Sequence, residues 1–381
     1  MRGAAELSIE SGDATGRIKA LDGLRGLAAL MVVAYHYLFV QVGVEVGSAL
    51  WYIRAPLKLA WSGVDLFFVL SGFLITTILI GAKGSQDYFT TFYVRRVFRI
   101  FPVYFFMFGC FILASAFLPP TNALIAGSVP WWTYLLFVQN VAMWLQDSFG
   151  GVWLAPTWSL AVEEQFYLFV PLIVLWLRPR YAVAALIVLA GLAPVLRLVF
   201  PGDMAFVMTP FRTDSLLVGS LLAYAMQSEA FVNLCRARIV VLYGLLSLLL
   251  VGIPIMMVRR EWFGPFDFTW LSSIYVMLIL IVQVSPRGVF ARLFSNRILL
   301  WFGAMSYAIY MLHDAVLGLS YYLISGYDHA SLTGRSDLIV TILAFGITCG
   351  LAALSARYFE GPSRRFGQRW TFRKSAPGFI S

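Results

Sequence analysis

Charge is what this 381-residue chain has least of. Asp, Glu, Lys and Arg make up 12% of it and hydrophobic residues 60%, about half the charge of an ordinary soluble domain. That scarcity excludes a pair of soluble domains, which the length alone would allow. Cysteine is scarce too: Cys110, Cys235 and Cys349 lie far apart, each in or beside an apolar run. With no metal or redox spacing among them, they read as small core residues. Alternating ten-residue segments are missing, which excludes a membrane β-barrel. The first twenty residues lack an apolar stretch followed by a small-residue cleavage site, so 1–20 is expected to be a short cytosolic tail, not a cleaved signal peptide. There is no internal repeat and no low-complexity tract.

What is present is a series of apolar runs that approach or exceed the roughly 18 residues needed to cross a bilayer. Only helices or closed barrels satisfy the backbone in lipid, so the fold class is all-α: a polytopic membrane protein of about ten transmembrane helices. The spans fall near 24–44, 61–80, 100–118, 158–177, 181–200, 211–227, 239–258, 268–285, 298–324 and 337–357. A single transmembrane domain then covers 21–358, and 359–381 is a basic cytosolic tail. WWTYLLFVQNVAMWL (131–145) is too short to join the series and inverts every later basic loop if it spans. It is expected to be re-entrant or interfacial, a depth that suits its Trp and Tyr.

With that arrangement both termini are cytosolic. Twenty-one of the 28 Lys and Arg lie on the cytosolic side and five outside, a positive-inside pattern. The net charge of +9 is spread between spans instead of clustered on one soluble face, so nucleic acid is not the expected partner. Membrane lipids are.

The ionisable residues in the spans form two layers. Arg25, beside Asp22 in LDGLRG, opens the first span on the cytosolic side, and His36 lies eleven residues on, about 16 Å deeper. Arg95, Arg96 and Arg99 precede the third span, also on the cytosolic side; Arg96 and Arg99 share a helix face if the helix begins there. Toward the outside lie Asp65, Glu163, Glu164, Arg212 and Asp214, with His313 near mid-depth followed by Asp314. Charges in lipid are costly unless paired or facing a cavity, which makes such layers functional candidates. Each also has a plain alternative. The arginines could anchor topology, Glu163 could complement a helix dipole, Asp65 and Asp214 could tie helices to arginines, and an intramembrane histidine could pack through a hydrogen bond. Ser71 and Gly72 read as small packing residues.

Six stretches together carry a resemblance: LDGLRG with Arg25 and His36, GVDLFFVLSGFLI, RRVFRIFPVYF, PTWSLAVEEQFYL, FRTDSLLVGSLLA and SYAIYMLHDAV. In this order they resemble the acyltransferase-three family, integral membrane acyltransferases that mostly O-acetylate extracytoplasmic carbohydrates in bacteria. The resemblance implies an acyl-coenzyme A donor, usually acetyl, taken from the cytosol, and a bacterial inner-membrane location. His36 matches the family's essential histidine, Arg25, Arg96 and Arg99 its arginine motifs, and Glu163 the glutamate of its WSLxxExxFY element. Some members carry a further extracytoplasmic hydrolase-like domain. Some 24 residues follow residue 357 here, so a stand-alone enzyme is expected.

The residues support the same scheme. Arg25, Arg96 and Arg99 suit the phosphates of coenzyme A, whose pantetheine arm would carry the thioester to His36. His36 would act as general base on a hydroxyl of a saccharide or lipid-linked glycan, or as an acyl carrier in a less favoured variant. Glu163 or Asp65 would orient the imidazole or the acceptor. His313, Arg212 and Asp214 are the candidates for contacting substrate, and no metal is expected. Oligomeric state is left open, a dimer included. The rival readings are a transporter with buried relay groups and a structural or sensory membrane protein.

Overall fold

The computed structural model describes residues 19–41, 54–202 and 206–373. Most of the tail expected at 1–20 and the far end of the one at 359–381 lie outside them. Among the described residues there is no strand. Within these residues eight helices are long and apolar enough to cross a bilayer, or nine if the bent pair Thr213–Ala225 and Glu229–Ala237, at 98° to each other, counts as one.

Ten spans were expected, and the difference has two local causes. The run 298–324 is broken into Arg297–Ala304, Ser306–Ser320 and a π-helical turn Tyr321–Ser325. The run 211–227 ends as a helix at Ala225, after thirteen residues. The stretch 131–145 forms two short helices, Trp131–Leu135 and Gln139–Leu145, with Trp131 and Trp132 half-exposed. They are too short to count as a span.

The first long helix, α1 (Lys19–Ala34), continues through a π turn at Tyr35–Val40. Such widened turns leave the regular ladder and are frequent at functional sites. Here the turn carries His36. The second, α2 (Gly63–Ala82), is central. Association in lipid rewards backbone approach, which small residues allow. Gly72 of α2 sits so close to helix α8 (Thr213–Ala225) that a Cβ would fall 1.8 Å from the Leu216 carbonyl oxygen. Gly23 of α1 is similarly pressed on Phe294, where the corresponding distance is 1.6 Å.

Helix α3 begins at Tyr88, well before the expected 100, and runs to Ser115. Tyr88 and Phe92, one turn apart, are both buried, which gives this early segment an apolar face to pack, and Tyr88 donates to the Pro171 carbonyl (3.1 Å). The arginines at 95, 96 and 99 therefore project from a helix already formed. Thr157–Trp176 (called α6, after the short α4 and α5 at 131–145) and Ser306–Ser320 (called α14) complete the walls of the site. Three apolar cores hold the bundle together, and Phe67 of α2 packs against all three.

Candidate active site

Two polar constellations occupy the interior. The larger lines a cavity of about 660 Å³ that reaches inward from the end of the bundle carrying Arg236, Arg364 and Arg365. Arg25, Arg96, Arg99, Glu163, Tyr167 and Ser71 all line it. Arg96 and Arg99 are three residues apart on α3 and so share a face, while Arg25 approaches from α1. Glu163 is the anionic counterpart and interacts electrostatically with all three guanidinium groups. Its Oε2 accepts a hydrogen bond from the Tyr167 hydroxyl (2.7 Å), which lies 2.8 Å from the Ser71 hydroxyl.

The second constellation surrounds His36. Its Nδ1 lies 3.0 Å from the Val32 carbonyl, which assigns the proton to that nitrogen. His313 Nε2 is 3.2 Å from the same Nδ1, and Asp314 Oδ2 is 3.8 Å from His36 Nε2. His313 is fully buried, with Nδ1 2.6 Å from the Tyr310 carbonyl. The donor atoms of His36, His313 and Asp314 lie within 4.8 Å of one another, close enough to hold a metal ion. Two imidazoles and a carboxylate serve equally to hold and move a proton.

His36 is not part of the cavity wall. Aromatic rings make the connection: Phe67, on the wall, meets Tyr310 edge-on at 5.9 Å, and Tyr310 lies 5.7 Å from the His313 ring. The Tyr310 hydroxyl is tied to Ser159 (2.6 Å) and the Pro156 carbonyl (2.9 Å).

The structure thus redistributes the residues expected from sequence. Arg25, Arg96 and Arg99 come together. Glu163, expected near His36, faces those arginines instead, because the cavity runs deep enough to reach it. Asp65, the other expected partner of the imidazole, is sealed in an ion pair with Arg212 (2.7 Å) and accepts from Ser215 (2.9 Å). Arg212 is 1% exposed, with its guanidinium 3.9 Å from the centre of the Phe268 ring. Asp214 is paired with Arg197 (2.7 Å) and accepts from Thr269 (2.5 Å). Buried pairs of this kind tie helices together, and here Asp65 Oδ2 and Arg212 Nε and Nη1 are left without a hydrogen-bond partner among the described residues. His313, expected at the acceptor, contacts His36 itself.

Comparison with known proteins bears on what this arrangement is for. A family profile described as an acyltransferase domain matches residues 18–357. The chain belongs to the acyltransferase-three family. Curated relatives include the O-acetyltransferase OatA of Staphylococcus aureus strain NCTC 8325 and that of strain COL, each 28% identical over 92% of this chain. The chain spans 58% of the length of these relatives. No solved structure matches it. In this acyltransferase-family chain, sequence reasoning assigned Tyr167 no role, named Asp314 only as the neighbour of His313, and presented Ser71 as a packing residue. Tyr167 could have been found, because it lies four residues after Glu163 on one helix face. Ser71 was hidden by Gly72, whose packing role is real.

Proposed function

We propose that the protein is a membrane O-acyltransferase, with acetyl the favoured group, that takes its acyl-coenzyme A from the cytosol and delivers the acyl group to a hydroxyl of an extracytoplasmic saccharide or lipid-linked glycan. The observation that carries this reading is the cavity lined by Arg25, Arg96 and Arg99, with His36 beyond its aromatic wall on the same helix as Arg25. The arginines supply bidentate donors for the donor's phosphates. The positive-inside pattern supports the cytosol as the side from which the cavity is entered, and the relatives named O-acetyltransferase support acetyl.

In the reaction, His36 Nε2 takes the proton of the acceptor hydroxyl as its oxygen attacks the thioester carbonyl. The carbon–sulfur bond breaks and the departing thiolate recovers that proton from the imidazolium. Asp314, 3.8 Å from Nε2, stabilises the imidazolium, and the Val32 carbonyl holds the ring's tautomer. Glu163 belongs to the donor site in this scheme, and Asp65, Arg212 and Asp214 hold the walls. In this scheme the thioester meets the acceptor beside His36 past Phe67 and Tyr310, the rings that link the cavity wall to His313.

Purified protein incubated with radiolabelled acetyl-coenzyme A and a membrane glycan fraction tests the reading. Donor consumption with label on the glycan is expected, together with loss of donor affinity in Arg96→Ala and Arg99→Ala. Transport of the glycan without donor consumption would favour an exporter.

A further inference from the structure

The cations at the mouth of the cavity have no part in the scheme above, and from sequence they count only toward topology. Arg236 comes from helix α9 (Glu229–Ala237), and Arg364, Arg365 and Gln368 from helix α16 (Gly361–Gly367) and the residue after it. All four line the same cavity as the inner arginines. The segment 361–373 is fastened to α3 and the turn before it. Ser363 donates to the Phe98 carbonyl (2.6 Å), Arg95 Nε to the Trp370 carbonyl (2.8 Å), and the Arg373 backbone NH to Asp87 (2.8 Å). The Phe98 ring meets Phe366 at 4.8 Å and stacks on Trp370 at 6.2 Å. The helix carrying Arg95, Arg96 and Arg99 is therefore also the platform that positions Arg364 and Arg365.

The cavity's arginines grade outward: Arg25, Arg96, Arg99 and Arg364 are half-buried, with Glu360 interacting with Arg25, Arg99 and Arg364, while Arg236 and Arg365 are exposed. A coenzyme A has anionic groups in two places at its nucleotide end: the diphosphate next to the pantetheine arm, and the 3′-phosphate on the ribose beyond it. With the thioester pointing inward, the 3′-phosphate is the last anion to enter and lies nearest the mouth. We infer that Arg364 and Arg365, with Arg236 on the same cavity wall, form the seat of the 3′-phosphate of the donor, while Arg25, Arg96 and Arg99 receive the diphosphate. This rests on the donor being a coenzyme A thioester. The chemistry recognised is a phosphate monoester at the membrane surface, and an anionic lipid headgroup offers a related group.

The test is binding of coenzyme A and 3′-dephospho-coenzyme A to the full chain, wild type and Arg364→Ala/Arg365→Ala, by calorimetry in nanodiscs of neutral lipid. Wild type is expected to prefer coenzyme A. The double variant should lose about tenfold in coenzyme A affinity, the scale of one charge-assisted contact, with dephospho-coenzyme A unchanged, so that the preference disappears. Arg364→Lys/Arg365→Lys should restore part of it, and an unchanged melting temperature excludes misfolding as the cause. Equal losses for both ligands, or a preference that survives the double variant, would overturn the inference while leaving the coenzyme A site standing. Repeating the titration with phosphatidylglycerol present separates the sources. If the double substitution alters only lipid retention and not nucleotide discrimination, the seat is for lipid and the inference fails. If wild type binds neither nucleotide, it is the donor assignment that falls.

Discussion

His313 Nε2 lies 3.2 Å from His36 Nδ1, joining residues 277 positions apart in the chain. Each ring also has its Nδ1 against a backbone carbonyl, Val32 for His36 and Tyr310 for His313. With both Nδ1 atoms protonated, both Nε2 atoms carry lone pairs, and the Asp314 carboxylate lies 3.8 Å from one and 3.4 Å from the other. A carboxylate facing two lone pairs is unfavourable until a proton or cation comes between them. A proton or a cation between these three side chains would relieve that arrangement, and the proposed general base supplies the proton.

Replacing His36 by Ala is expected to lower acyl transfer by roughly 10²–10⁴, the ordinary worth of a positioned base. Donor affinity should stay near wild type, since the imidazole lies outside the cavity wall. Turnover within about tenfold of wild type would remove the base from His36.

Asp314→Asn keeps the shape of the carboxylate and removes its charge. The expected outcome is a fall in kcat of about tenfold to a hundredfold, from loss of the anion that favours imidazolium in the transition state. The KM for the donor should hold. A rise in KM with unchanged kcat would assign Asp314 to binding.

The same three side chains could hold a cation, so chelation decides between two chemistries. With a proton as the charge taken up, dialysis against a strong chelator is expected to leave turnover unchanged. Loss of activity that returns on adding zinc would make His36, His313 and Asp314 metal ligands.

Much of this was legible in the sequence because lipid leaves few options. Apolar length dictated the spans, and the cost of intramembrane charge pointed to Arg25, His36, Arg96, Arg99 and Glu163 as residues needing an account. Their partners were not legible. Asp65 and Glu163 each have several arginines at plausible depth, and depth does not say which helix faces which. Close glycine contacts decide that, such as Gly72 on the Leu216 carbonyl. The broken run 298–324 was missed because hydropathy does not register the interruption at Met305, which leaves α14, with His313, as a short buried helix.

Glu163→Gln tests the proposed role of that carboxylate in the arginine-lined cavity instead of beside the imidazole. On the proposed reading its carboxylate would compete with the donor's phosphates for the three guanidinium groups it interacts with. The amide should tighten coenzyme A binding several-fold at low salt, and the gain should shrink as salt screens it. Turnover should fall as well, because the Tyr167 hydroxyl loses its charged acceptor. An unchanged dissociation constant at every ionic strength would return Glu163 to the neighbourhood of His36.

The Asp65–Arg212 pair separates a wall from a binding site. Both side chains are almost wholly buried, so removing one partner leaves an uncompensated charge in the bundle, a loss of about 3–5 kcal/mol. Arg212→Met is therefore expected to lower the melting temperature in detergent sharply, and Asp65→Leu alone should do the same. Made together, they replace the pair by apolar groups of similar bulk, and such exchanges are often neutral or stabilising. The double variant should recover most of the lost stability. If the pair only ties α2 to α8, the recovered protein should also bind coenzyme A and transfer acyl groups near wild-type rates. Full thermal recovery with turnover still absent would show that Arg212 or Asp65 reaches the substrate, as the sequence alone had suggested.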